Sequence, residues 1–89
     1  MNLEKNLALR VDPIVYKFLA KIPRKDSERI LFELENLAKN PFTGDVQKMK
    51  GEDSVWRRRV GAYRFFYEIS KTQKIVHVFK LERRTTATY

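Results

Sequence analysis

The apolar residues of this chain change their spacing near its middle, and that change limits the folds open to it. From Val15 to Pro41 they recur every three or four positions; from Val55 onward they recur every second position. A helix repeats every 3.6 residues, whereas a strand sends alternate side chains to opposite faces. A chain that switches from the first period to the second builds helices first and a sheet afterwards, then packs one layer on the other. With 89 residues, one compact domain spanning 1–89 is expected.

The elements follow from local signals. Leu7, Leu9 and Val11 alternate with Ala8 and Arg10, a short strand. Asp12-Pro13 reads as an N-cap followed by proline in the first helical turn. Val15, Phe18, Leu19 and Ile22 then recur at helical spacing until Pro23 ends the helix. A second helix starts near Arg24 to Ser27 and carries the stripe Ile30, Leu31, Leu34, Leu37 and Ala38 before Asn40-Pro41 stops it. Residues 42–54 read as a connector, with Gly44-Asp45 and Gly51-Glu52-Asp53 as turn signals. Strands are expected at about 55–60, 63–69 and 74–81, joined tightly around Gly61-Ala62 and Ser70-Lys71-Thr72-Gln73. The expected fold is α+β in the order β-α-α-β-β-β. An antiparallel sheet carries an N-terminal helical hairpin on one face and leaves the other open.

Charge is distributed unequally along this plan. Residues 1–46 hold eight Lys/Arg against seven Asp/Glu, whereas residues 47–89 hold eleven against four. The net excess, +1 against +7, therefore falls on the strand-rich half. A near-neutral scaffold joined to a basic face suits phosphates as partners. A solvated surface that merely blocks aggregation is the other reading. No apolar run approaches the ~18–20 residues needed to cross a bilayer. The stretch MNLEKNLALR has no apolar core of a signal peptide, and the chain has no cysteine. A cytoplasmic protein that does not engage membranes is expected.

Alternation sorts the strand residues into faces. Arg57 and Arg59 share one face, while Trp56, Arg58 and Val60 share the other. Tyr63, Phe65, Tyr67 and Ile69 form a core face, with Arg64, Phe66 and Glu68 pointing away. Arg57, Arg59 and Arg64 can therefore meet on the open face, where Arg83 and Tyr89 can reach them from the tail. Planar, permanently charged guanidiniums suit phosphate oxygens, and neighbouring aromatics suit unpaired bases. His77 falls in phase with Ile75 and Phe79 and reads as a core or core-edge residue rather than a catalytic one. Trp56 reads as sheet packing before a base platform, and Glu68 as a partner for Arg64. Lys48, Lys50, Lys80 and Arg84 are candidate RNA-backbone contacts, with plain solubilising roles equally open to the two lysines near the turn. One His, no Cys and no tight acidic cluster make a metal site or other cofactor unexpected.

The stretch Lys48-Met49-Lys50-Gly51, followed by Val55-Trp56-Arg57-Arg58-Arg59-Val60-Gly61-Ala62-Tyr63-Arg64-Phe65-Phe66-Tyr67-Glu68-Ile69, resembles the core of the RelE/ParE toxin superfamily. The end, from Lys80 to Tyr89, is similar to the tail of RelE-like members, where a basic residue precedes a terminal-region tyrosine. The helical half fits too, including Leu37-Ala38-Lys39-Asn40-Pro41. The resemblance implies the toxin of a type II toxin–antitoxin pair. In the RelE-like branch this is a metal-independent endoribonuclease that cuts mRNA in the ribosomal A site, using the RNA 2′-hydroxyl as nucleophile. It implies roles for Arg57 and Arg59 on the strand before the Tyr-Arg motif, for Arg64 within it, and for Arg83 and Tyr89 in the tail. Some members place lysine at the two strand positions. Arginine cannot readily give up its proton, so Arg57 and Arg59 suit charge stabilisation rather than base catalysis. The base is then Tyr89, or ribosome and solvent. The resemblance also implies an acidic antitoxin, with a monomeric free toxin and a hetero-oligomeric complex. Two alternatives remain open: a ParE-like inhibitor of DNA gyrase that acts by binding, and an inactive module that binds RNA or antitoxin.

Overall fold

The computed structural model describes residues 7–51 and 54–84. The element order is β1 (Ala8–Val11), α1 (Pro13–Leu19), α2 (Arg24–Leu37), β2 (Asp45–Lys48), β3 (Val55–Val60), β4 (Tyr63–Ser70) and β5 (Ile75–Arg83). The α+β fold class expected from the change of period stands. Asp12 caps α1 as its position suggests: its Oδ1 accepts the Ile14 amide at 3.0 Å, and Pro13 occupies the first turn.

The strands form one five-stranded sheet in the order β1-β5-β4-β3-β2. Three of its four pairings are antiparallel, and β1 runs parallel to β5. The parallel pairing follows from the connection. The chain leaves β1 through two helices and two hairpins before β5 returns beside it, so no tight turn sets their relative direction. The other difference is β2, which lies inside the expected connector. Its four residues, Asp-Val-Gln-Lys, carry one apolar side chain, too few to show a period.

Helices cover one face of the sheet. Val15 and Leu19 of α1 and Ile30, Leu34 and Leu37 of α2 are buried with Val60, Tyr63, Phe65, Tyr67, Val76, Val78 and Leu81. Two polar ties fix the layers: Tyr63 Oη donates to Asp26 Oδ2 at 2.8 Å, and Tyr67 Oη donates to the Pro41 carbonyl. A third is ionic. Arg58, only 6% exposed, points into the helix layer and pairs with Glu33. Its guanidinium passes so close to Gly44 that a Cβ there would lie 2.8 Å from one of its terminal nitrogens; glycine at φ +90° leaves that space free.

A β-bulge in β5 corrects one expectation. Phe66 pairs with Lys80 but Tyr67 pairs with Val78, so Phe79 is the extra residue. The alternation slips there. Leu81 keeps its place on the core face, but Ile75 and His77 lie on the open face with Ser70 and Glu68, and Val76 and Val78 take the core positions. His77 is therefore not a core histidine. Among the described residues no helix is long and apolar enough to cross a membrane.

Candidate nucleic-acid interface

The open face is built by register. Residues paired across neighbouring strands share a face, so the pairings arrange it in cross-strand rows. One row reads Asp45, Arg59, Arg64, Glu82 across β2, β3, β4 and β5. The next reads Gln47, Arg57, Phe66, Lys80, and the third joins Val55, Glu68, His77 and Arg10. Arg57, Arg59 and Arg64 thus share this face, as alternation implied, and Arg58 lies on the other.

Carboxylates and an amide flank the arginines without enclosing them. Arg59 is 3.8 Å from Asp45 Oδ2, and Arg64 Nε donates to Glu82 Oε2 at 2.5 Å. Arg57 donates to Gln47 Oε1 at 2.5 Å. Lys80 Nζ lies 3.3 Å from the other Glu82 oxygen. Partial burial works to raise the Glu82 pKa, but the hydrogen bonds from Arg64 and Lys80 outweigh it and hold the carboxyl below its ordinary value of 4.5. The Nε–H groups of Arg57 and Arg59 are buried without an acceptor among the described residues. This face therefore holds oriented positive charge with unused donor capacity, the property an oxyanion site requires.

Other sequence candidates lie elsewhere. Lys48 is on the helix-side face, with Nζ 5.9 Å from the Trp56 ring centroid, and does not join the arginines. Trp56 packs edge-on against Phe42 at 4.9 Å, the packing role expected of it. Lys50 is exposed just beyond β2. Lys80 does face the open side. Arg83 does not reach it: its Cα partner is Tyr63, and its guanidinium lies 5.8 Å from the Tyr63 ring. Arg84 holds the β3–β4 turn, its amide donating to the Ala62 carbonyl at 2.7 Å and its side chain to the Gly61 carbonyl at 3.4 Å. Tyr89 lies outside the described residues. Glu68 pairs with His77 (3.8 Å) rather than with Arg64, whose partner is Glu82.

Two open-face residues were missed as site candidates. Phe66 sits between Arg57 and Lys80, and Arg10 stands beside His77. The alternation of β4 already turned Phe66 outward; only the parallel β1–β5 pairing could place Arg10. Among the described residues, no three His, Cys, Asp or Glu side chains gather as a metal site. Two phenols stand apart from this face. Burial pushes Tyr67 up to about 12, against a small opposing pull from Arg58. Tyr63 is raised by its hydrogen bond to Asp26, with burial adding to the effect.

Comparison with known proteins gives a consistent picture. A family model described as the ParE toxin of a type II toxin–antitoxin system, parDE, matches residues 5–87. A candidate toxin RelE1 of Methanocaldococcus jannaschii is 30% identical over 76 residues, which is 82% of this chain and 84% of that protein. The archaeal RelE–RelB complex of Pyrococcus horikoshii OT3 contains a similar fold, with a TM-score of 0.80 and 26% identity over 92% of this chain and 99% of that one. The isolated E. coli RelE toxin shares the fold at a TM-score of 0.76 and 17% identity, over 91% of this chain and 87% of that one. With the family match, the sequence match and the shared fold in agreement, this chain belongs to the RelE/ParE toxin superfamily of type II toxin–antitoxin systems and resembles its RelE-like branch.

Proposed function

We propose that this toxin is an endoribonuclease that cuts mRNA in the ribosomal A site. The observation that carries the reading is the row in which Arg59 faces Arg64, with Arg57 one row along on the same face. Two like charges side by side weaken a sheet unless an anion joins them. A phosphodiester supplies that anion, and its charge grows as a phosphorane forms.

In this mechanism the RNA 2′-oxygen attacks the adjacent phosphorus and the bond to the 5′-oxygen breaks. The 2′-hydroxyl loses its proton, the leaving 5′-oxygen gains one, and a 2′,3′-cyclic phosphate remains. Arg57, Arg59 and Arg64 stabilise the non-bridging oxygens. None of them is a base. Tyr89 is proposed for proton transfer, with ribosome or solvent as the substitute, and Arg83 for supporting the tail. Lys80 and Arg84, with Lys48 and Lys50, are proposed contacts to the RNA backbone. The nucleophile belongs to the substrate, so the reading needs no metal or cofactor.

The partner that silences the toxin is proposed to be an acidic antitoxin covering the basic face. The P. horikoshii relative is described in complex with RelB, and charge complementarity favours such a partner here. The free toxin is proposed to be a monomer, and the silenced form a hetero-oligomer. One observation favours a second reading: the family model that matches is that of ParE, whose resemblance implies gyrase inhibition by binding. Primer extension on a translated mRNA, beside a gyrase supercoiling assay, separates the two. Discrete toxin-dependent stops with unaffected supercoiling are expected; blocked supercoiling without stops would overturn the ribonuclease reading.

A further inference from the structure

The centre of the open face is held by an aromatic ring, not by a charge. Phe66 projects from β4 between Arg57 of β3 and Lys80 of β5, its cross-strand partners. Among the described residues no helix covers this side, and the ring is half-buried by its neighbours. Lys80 Nζ lies 5.1 Å from the ring centroid, on its π face. A β-branched residue would serve the pairing equally well, since strand preference rewards Val, Ile or Thr as much as Phe. A flat ring adds a stacking surface.

We propose that Phe66 and Lys80 form a base-stacking subsite for single-stranded RNA, next to the phosphate held by Arg59 and Arg64. The proposal rests on the ribonuclease reading and adds to it a position that grips a base. Its geometry comes from the strand. Phe66 is two residues beyond Arg64 on the same face, or about 7 Å along β4. A base attached to a nucleotide whose phosphate sits at the arginine row reaches that distance, provided it is unpaired and splayed from its neighbours. The β5 bulge is part of the device. Were β5 regular, Phe79 would pair with Phe66 and Lys80 would fall in phase with the core positions Val76 and Val78; the bulge leaves Phe79 unpaired and sets Lys80 beside the ring. Its ammonium occupies the π face in the free protein and moves to a backbone phosphate when a base takes that place. Glu82, 3.3 Å away, keeps the ammonium near the ring meanwhile. Every base has a π face, so the subsite accepts all four; the larger overlap of a purine makes purines preferred.

The test uses the full-length toxin and short uncleavable RNA oligomers, methylated at each 2′-oxygen, with 2-aminopurine placed at each position in turn. In wild type one position should be quenched far more than the rest. Phe66→Leu should weaken affinity by about tenfold or more, and Phe66→Trp should restore it. The salt dependence should stay the same in both variants, because no ionic contact is lost. Replacing the quenched base by an abasic site should abolish the difference between wild type and Phe66→Leu. Equal affinities for wild type and Phe66→Leu, alongside weakened binding by Arg64→Ala, would overturn the stacking subsite and leave the ribonuclease reading in place. A loss in Phe66→Leu that persists with the abasic oligomer and is not restored by Phe66→Trp would mark a structural role and overturn it too. If wild type binds no oligomer even at low salt, the stacking subsite falls, and primer extension on a translated mRNA decides the ribonuclease reading separately.

Discussion

Arg59 stands directly opposite Arg64 across the β3–β4 pairing, and each has a carboxylate on its outer side, Asp45 and Glu82. The four charges form a row with two positives at its centre. The flanking pairs are partly exposed and contribute little, about 0–1 kcal/mol each. The central repulsion is of similar size. Removing one arginine should therefore cost the fold almost nothing. Thermal melts of Arg59→Ala should lie close to wild type, and inorganic phosphate should raise the wild-type midpoint more than that of the variant. A large destabilisation of Arg59→Ala, with an unchanged phosphate effect, would mean the row is structural.

Arg58, between the two site arginines in sequence, should behave in the opposite way. It is buried and paired with the part-buried Glu33, so Arg58→Ala leaves that carboxylate without its partner, at a cost of about 3 kcal/mol. Glu33→Ala should cost a similar amount, and the double change Arg58→Met/Glu33→Leu should recover most of the loss. Chemical denaturation measures all three. At a temperature where Arg58→Ala remains folded, its activity should stay within about tenfold of wild type, because its side chain is absent from the open face.

Much of this was legible in the sequence, for a physical reason: a strand with one buried face must alternate. That rule placed Arg57 and Arg59 together, turned Arg58 inward, and put Tyr63, Phe65 and Tyr67 in the core. It failed where alternation is interrupted or too short to detect. The bulge at Phe79 reverses phase within β5 and carries His77 outward, and no residue type announces it. Strand β2 has a single apolar residue, Val46, and is held by pairing to β3 rather than by its own pattern. Arg83 was expected to reach the open face; its strand position opposite Tyr63 sends it to the helix side. The carboxylate partner of Arg64 was assigned to Glu68, its neighbour along β4, because only the β4–β5 register reveals Glu82.

The pH dependence of stability should show two separate losses. Glu82 is held below its ordinary value in the folded chain, so its contribution is full above about 4.5 and fades as pH falls through the lowered folded value. Glu82→Gln should flatten the acid limb. Tyr67 is raised to about 12, so its neutral form favours the folded state; that contribution is present below the unfolded phenol value of ~10 and is lost as pH rises from there toward 12. Tyr67→Phe should remove part of the alkaline loss, leaving the share of Tyr63. Urea midpoints measured across pH 3–12 would reveal an unchanged alkaline limb in Tyr67→Phe if the assignment is wrong.

RNA affinity should fall steeply with salt. Each phosphate contact on a single strand releases about 0.7 counterion, so three arginines give a log–log slope near –2. Arg64→Ala should reduce the slope by about 0.7, whereas Arg58→Ala should leave it unchanged. Equal slopes for wild type and Arg64→Ala would remove Arg64 from the phosphate site.

The central claim is that the open arginine face cleaves ribosome-bound mRNA. The direct measurement is single-turnover cleavage in a reconstituted translation complex by wild type and Arg64→Ala, with the product ends identified. One oriented donor acting on the transition state is worth about 2.7–4 kcal/mol, so Arg64→Ala should cut about 10²–10³ times more slowly. Wild type should leave a 2′,3′-cyclic phosphate and a 5′-hydroxyl. Equal rates for the two proteins, or a 3′-hydroxyl product, would contradict the claim.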